Sequence, residues 1–191
     1  GRVLLQRPRP VLARLEALRP DPLRVPETTA TRMRDLHRDA FLARDWDAMR
    51  ALASADFVYD DRGKRALVRG DVEPWIASQQ FTTQPGFRAD TALIGTLGDR
   101  IVLDHCRWFG KPDGDAFEFG RVRLLEVGAD GLLRAVLFFD PEDRFAASIE
   151  GLARFATRGL ECLLFDHGRG RRPLECGVAA QVTRIGCFYS R

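Results

Sequence analysis

Lysine is nearly missing from this chain: of the 30 Lys and Arg residues among 191, only Lys64 and Lys111 are lysine. That arginine-heavy balance points to a GC-rich coding sequence before it points to phosphate binding. Against 27 Asp and Glu it leaves a formal charge of +3 with the three His neutral. The basic residues are spread along the chain, so there is no nucleic-acid footprint. Cysteine gives no scaffold either. Cys106, Cys162, Cys176 and Cys187 contain no C-x-x-C pair, so neither a zinc site nor a disulfide framework is signalled, and no metal or cofactor is expected. Long apolar runs are also lacking. The longest in the later chain, Ala135 to Phe139, falls far short of the ~18 residues of a membrane span. The start, Gly1-Arg2-Val3-Leu4-Leu5-Gln6, has too little apolar length for a signal peptide. A cytoplasmic protein with no membrane contact is the expectation, and Gly1 in place of Met points to a fragment of a longer chain or a processed one.

What is present is ordinary globular material, 45% hydrophobic and 30% charged. Residues 1–28 hold half of the ten prolines around a short periodic piece, Val11 to Leu18, and read as a helical extension or linker. From Thr29 as N-cap, Met33, Leu36, Ala40 and Phe41 recur at helical spacing. A shorter helix covers Asp45 to Leu52, a strand follows over Phe57 to Asp61, and Asp71 caps a third helix running to about Phe81. After Gly86 the period changes to two through four segments, Phe87–Leu97, Ile101–Phe109, Phe117–Val127 and Leu132–Phe139, joined by Gly- and Asp-rich turns as antiparallel hairpins. Asp140-Pro141-Glu142-Asp143 opens a last helix, with Asp140 as N-cap. Helices followed by a strand meander define an α+β domain over residues 29–156. Residues 157–191 read as a basic, weakly ordered tail.

This element order, with Asp45-Trp46-Asp47 ahead of Leu52-Ala53-Ser54-Ala55-Asp56-Phe57-Val58-Tyr59-Asp60-Asp61 and the closing Leu137-Phe138-Phe139-Asp140-Pro141, resembles the NTF2-like superfamily, most of all its SnoaL-like branch. The resemblance covers about Thr31 to Phe155. It implies a cone in which a strongly bent antiparallel sheet wraps a long N-terminal helix and leaves an apolar pocket at one end. It does not choose a function, because the superfamily includes ketosteroid isomerases, polyketide cyclases, limonene epoxide hydrolases and domains with no catalytic role. The epoxide hydrolase pattern of Arg and two Asp falls on Cys106, Trp108 and Leu137, which cannot supply it. The ketosteroid isomerase pattern falls on Asp60, His37 and Arg123. Polyketide cyclases also place an Asp where Arg123 stands, so both patterns are incomplete. Similar segments close long multidomain regulatory proteins.

Asp60 is the one family carboxylate retained. Facing an apolar cavity it would act as a base, with His37 or Arg123 stabilising an enolate opposite. The plainer readings are a turn carboxylate at Asp60, a polar rim residue at His37, and an Arg123 that pairs with Asp104 or Glu126 across the sheet. Alternation matched to the family turns Asp104, Cys106 and Trp108 inward on one strand, Phe119, Arg121 and Arg123 on the next, and Ala135, Leu137 and Phe139 on the last. Tyr59 flanks the base and Trp75 closes the wall. A one-residue slip would put His105 and Arg107 inside instead. Cys106 reads as a small core residue. The expected ligand is a small apolar or aromatic molecule, with isomerase- or cyclase-type proton transfer, or else with no chemistry, in a sensing or dimerisation module. Val122, Leu124, Val136 and Phe138 are expected on an outer sheet face that pairs with a second copy.

Overall fold

The computed structural model describes residues 26–64, 66–83, 87–110 and 116–166, with side chains to residue 158. The helix expected near residues 11–18, the turn at 112–115 and the segment from 167 onward lie outside these residues.

Helix α1 spans Thr29–Ala43 and is closed at its start by a capping box between Thr28 and Thr31. The cap is thus one residue earlier than expected. Thr29 instead ties the helix to the distant Asp99, which accepts from its backbone N–H at 2.9 Å. The buried stripe of α1 is Ala30, Met33, His37 and Phe41, whereas Leu36 is 55% exposed. His37 therefore occupies a core position that an apolar residue would ordinarily hold. Helix α2 (Trp46–Ala51) is capped by Asp45, which accepts from Ala48 N at 2.9 Å. Strand β1 (Ala53–Asp61) and the short β2 (Val68–Gly70) lead to α3 (Val72–Phe81), capped by Asp71. The meander follows as β3 (Phe87–Leu97), β4 (Ile101–Gly110), β5 (Phe117–Val127) and β6 (Leu133–Phe139).

One sheet holds all six strands in the order β2-β1-β6-β5-β4-β3. Its pairs are antiparallel except that β1 joins β6 in parallel, with Asp60 opposite Leu137, so the sheet is mixed and not wholly antiparallel. Period-two alternation divides it into two faces. Against α1 and α3 lie Phe57, Tyr59, Cys106, Trp108, Leu125, Val136 and Phe138. On the opposite face lie Ile101, Leu103, Val122, Leu124, Ala135, Leu137 and Phe139.

This division corrects the expected alignment of the last strand. Arg123 is opposite Phe138, and Leu124 is opposite Leu137. Val136 and Phe138 therefore face the helices, while Ala135, Leu137 and Phe139 face away from the pocket. From Ala135 to Phe139 the strand carries no polar residue to set its phase, and a strand buried on both faces does not alternate.

Helix α4 (Arg144–Asp166) covers the outer face. Ala147 and Phe155 pack into the outer cluster, and the helix continues well past residue 156. Asp140 does not cap it. A 3-10 turn, Pro141–Asp143, intervenes, and the Asp140 carboxylate accepts from Lys64 N and Arg121 Nη1. Gly151 lets the helix approach closely: a Cβ there would lie 2.7 Å from Leu97 Cδ1. A chain of ion pairs fastens the same helix, running from Asp60 through Arg62, Glu150 and Arg154 to the buried Glu126. The face expected to receive a second copy is occupied by this chain's own helix. Among the described residues no helix is long and apolar enough to cross a membrane.

Candidate functional site

Asp104 and Arg123 are direct neighbours across β4 and β5, and both side chains point to the helix side, 0% and 3% exposed. Arg123 donates from Nε to Asp104 Oδ1 at 3.0 Å and from Nη2 to Oδ2, the forked geometry that suits a carboxylate. Burial opposes the guanidinium charge, but Asp104 outweighs it and holds Arg123 protonated. Arg123 Nη1 lies 3.0 Å from His37 Nδ1. A guanidinium has no acceptor, so Nδ1 must accept, and the one proton of a neutral imidazole resides on Nε2. Burial, and then the charge of Arg123, push the His37 pKa well below its ordinary value. The imidazole is therefore neutral, stacked 5.4 Å from the Trp75 ring, with a buried donor Nε2–H that has no partner among the described residues.

Two members of this triad, His37 and Arg123, border a cavity of about 220 Å³ between α1, α3, β3, β4 and β5. Arg123 and Cys106 form part of its floor, with His37 and Phe41 on one wall and Gln79 and Trp108 on others. Trp108 stacks on Phe119 at 5.0 Å and 12° between planes, and its buried indole N–H, like that of Trp75, lacks a partner among the described residues. The Cys106 thiol donates to Asp104 Oδ1 at 3.5 Å, and burial pushes its pKa far up, so it is a poor nucleophile. Tyr59 belongs to the core behind the site: its hydroxyl donates to Ser78 Oγ at 3.0 Å, and burial raises its pKa to about 12.

Of the residues singled out from sequence, His37, Cys106, Trp108 and Arg123 come together at the cavity. Asp104, Trp75 and Phe119 support them from behind. Leu137 and Phe139 lie on the other face, as described. Asp60 does too: in its parallel pairing it shares the side of Leu137, and its carboxylate accepts from Arg62 Nε at 2.8 Å. The neighbour on the helix side is Asp61, whose carboxylate accepts from Gly63 N at 2.9 Å and does not border the cavity. Asp90 is the one carboxylate bordering it among the described residues, and that group pairs outward with Arg107 at 3.3 Å. Phe41, Gln79 and Thr91 went unrecognised. Phe41 was legible only as a core residue of α1, and nothing in the pattern separates Gln79 from other polar positions of α3. Among the described residues no cluster of His, Cys, Asp or Glu is arranged to hold a metal ion.

No family model matches the chain. Among curated proteins it is similar to the phosphoglycerate kinase of Zymomonas mobilis, 27% identical over 146 residues, which is 73% of this chain. The chain spans 36% of the length of that relative. Among solved structures it resembles a computationally designed 17-OHP binder at a TM-score of 0.50 and 15% identity, over 62% of this chain and 95% of the other. The Δ5-3-ketosteroid isomerase of Mycobacterium sp. gives 0.49 and 17%, over 61% and 95%. An LEH-like epoxide hydrolase of M. tuberculosis gives 0.46 and 19%, over 72% and 97%. At such identities the likeness reaches the fold alone. With α1 and α3 on one face of a curled six-stranded sheet, α4 on the other and β1 returning beside β6, the fold is an α+β cone similar to that of the NTF2-like proteins.

Proposed function

We propose that the chain binds a small apolar or aromatic molecule in the cavity beside Trp108, and that binding rather than proton abstraction is its role. The observation that carries this reading is the lining of the cavity, where Trp108, Phe41, Leu42, Ala89 and Cys106 meet the amide of Gln79 and a neutral His37. The Gln79 amide can donate to a ligand oxygen, a bond worth about 1 kcal/mol net. Beside the polar Arg38, Asp90, Thr91 and Arg123, the apolar and aromatic part of the surround offers a contact for a flat ring. At about 220 Å³ the space lies below the ~300–1,000 Å³ of drug-sized pockets, which favours a ligand of a single ring.

General-base catalysis needs a free proton acceptor within hydrogen-bond reach of the ligand, and the Nδ1 lone pair of His37 is already engaged by Arg123. Asp60 is turned to the opposite face and Asp104 is occupied by Arg123. Their placement supports the sensing module over the isomerase or cyclase.

The test is a titration of acetophenone and similar monocyclic carbonyl compounds, followed by tryptophan fluorescence and calorimetry. Trp108→Ala should weaken binding about tenfold or more, since a lost aromatic contact of this kind exceeds 1.4 kcal/mol. Asp60→Asn should bind as the parent does. Undiminished affinity in Trp108→Ala, or a turnover of any of these compounds that Asp60→Asn abolishes, would overturn the reading.

A further inference from the structure

We propose that the ligand is an amphipathic organic anion, whose ring and neutral oxygen enter the cavity while its anionic group rests outside, between Arg44 and Arg88. This rests on the cavity reading above and adds to it the charge and orientation of the ligand.

The first observation is the charge balance at the cavity floor. Arg123 and Asp104 cancel as a forked pair, and His37 is neutral. An anion lowered onto them would be a buried charge with no counter-ion, which costs far more than a hydrogen bond returns. Gln79 borders the cavity as well and carries amide N–H donors. A neutral acceptor such as a carbonyl oxygen satisfies them without adding charge.

The second observation is a groove of about 330 Å³ that adjoins the cavity and shares Phe41, Leu42 and Ala89 with it. Arg44 and Arg88 line this groove beside Phe87 and Phe109, and no carboxylate lines it among the described residues. Both arginines are exposed, and neither makes an ion pair among the described residues. Arginines close by are already matched, Arg38 by Asp35 and Asp39, and Arg107 by Asp90. The backbone of Arg44 is also fixed in place. As the C-cap of α1 it adopts φ 56° and ψ 32°, with its N–H directed at the carbonyls of Ala40 and Phe41. Partial negative charge at the end of that helix offsets some of the Arg44 charge, so Arg88 supplies the larger share of the attraction. The Thr82 and Thr83 hydroxyl protons are already donated to the carbonyls of Gln79 and Gln80. Among the described residues the two arginines are therefore the cationic contact available to a ligand whose other end is in the cavity.

The experiment compares benzoylpropionate, a phenyl ketone bearing a carboxylate, with its methyl ester and with acetophenone, on the full chain. The acid should bind about tenfold tighter than the ester at low salt, as two charge-assisted contacts allow, and the advantage should shrink as salt is raised. The double variant Arg44→Gln/Arg88→Gln should lose the advantage while binding acetophenone as before. Glutamine also has a Cβ, so the left-handed cap is no more strained than in the parent, and an unchanged melting temperature checks this. Equal binding of acid and ester, with acetophenone still bound through Trp108, removes the anion subsite and leaves the cavity reading standing. An acid preference that survives in the double variant also removes it. Failure of all three probes to bind removes the cavity reading, and this inference with it.

Discussion

Three side chains, His37, Arg123 and Asp104, carry a consequence that can be read by titration. Folded His37 stays neutral because burial and the adjoining guanidinium disfavour its protonated form. In the unfolded chain the imidazole takes its proton near the ordinary value of 6.5. Below that pH the unfolded state binds more protons than the folded one, so stability falls as pH falls, by up to about 1.4 kcal/mol per pH unit for one group. The window lies between pH 6.5 and the ordinary glutamate value of 4.5. Urea denaturation across it should show a flatter pH slope for His37→Phe than for the parent. The level of stability drops as well, because Arg123 loses an acceptor, so the slope is the diagnostic quantity. Parallel slopes would mean that the imidazole titrates freely in the folded protein.

Among the elements, α4 depends on one residue without a side chain. At Gly151 a Cβ would meet Leu97 Cδ1 at 2.7 Å, with Leu124 and Leu103 close behind. Gly151→Val should lower stability by about 1–3 kcal/mol through overpacking. Gly151→Ala should change it less, since helix propensity returns up to about 1 kcal/mol. Urea midpoints separate the two, and a valine variant as stable as the parent would place the helix farther from the sheet. Element boundaries were legible where chemistry is local: Asp45 and Asp71 announce helix starts, and the four hairpin strands follow from alternation and turns. Phase was not legible where both faces of an element are buried. Ala135 to Phe139 offers no polar residue to orient β6. Asp60 and Asp61 are adjacent carboxylates at the end of β1, and only pairing with β6 decides which one faces the helices. His37 was legible as a candidate through the family resemblance, but its partner on β5 became evident only from the cross-strand register.

For the whole molecule, two cores share one sheet, and each needs its own cover. A chain cut after Asp140 would expose Val122, Leu124, Leu137 and Phe139 together, a patch larger than a monomer ordinarily tolerates. Sedimentation should show the cut chain self-associating at micromolar concentration, whereas a monomeric, folded product would mean that α4 is dispensable. The parallel seam between β1 and β6 also governs the timing of assembly. Asp60 has to find Leu137, so during synthesis the early helices and first strand emerge long before their docking place exists. The hairpin meander forms from near neighbours, but the seam is a late, long-range closure of the kind that slows folding. A nascent chain paused within β5 would present an unpaired β1 edge to whatever chaperone or neighbouring chain is at hand.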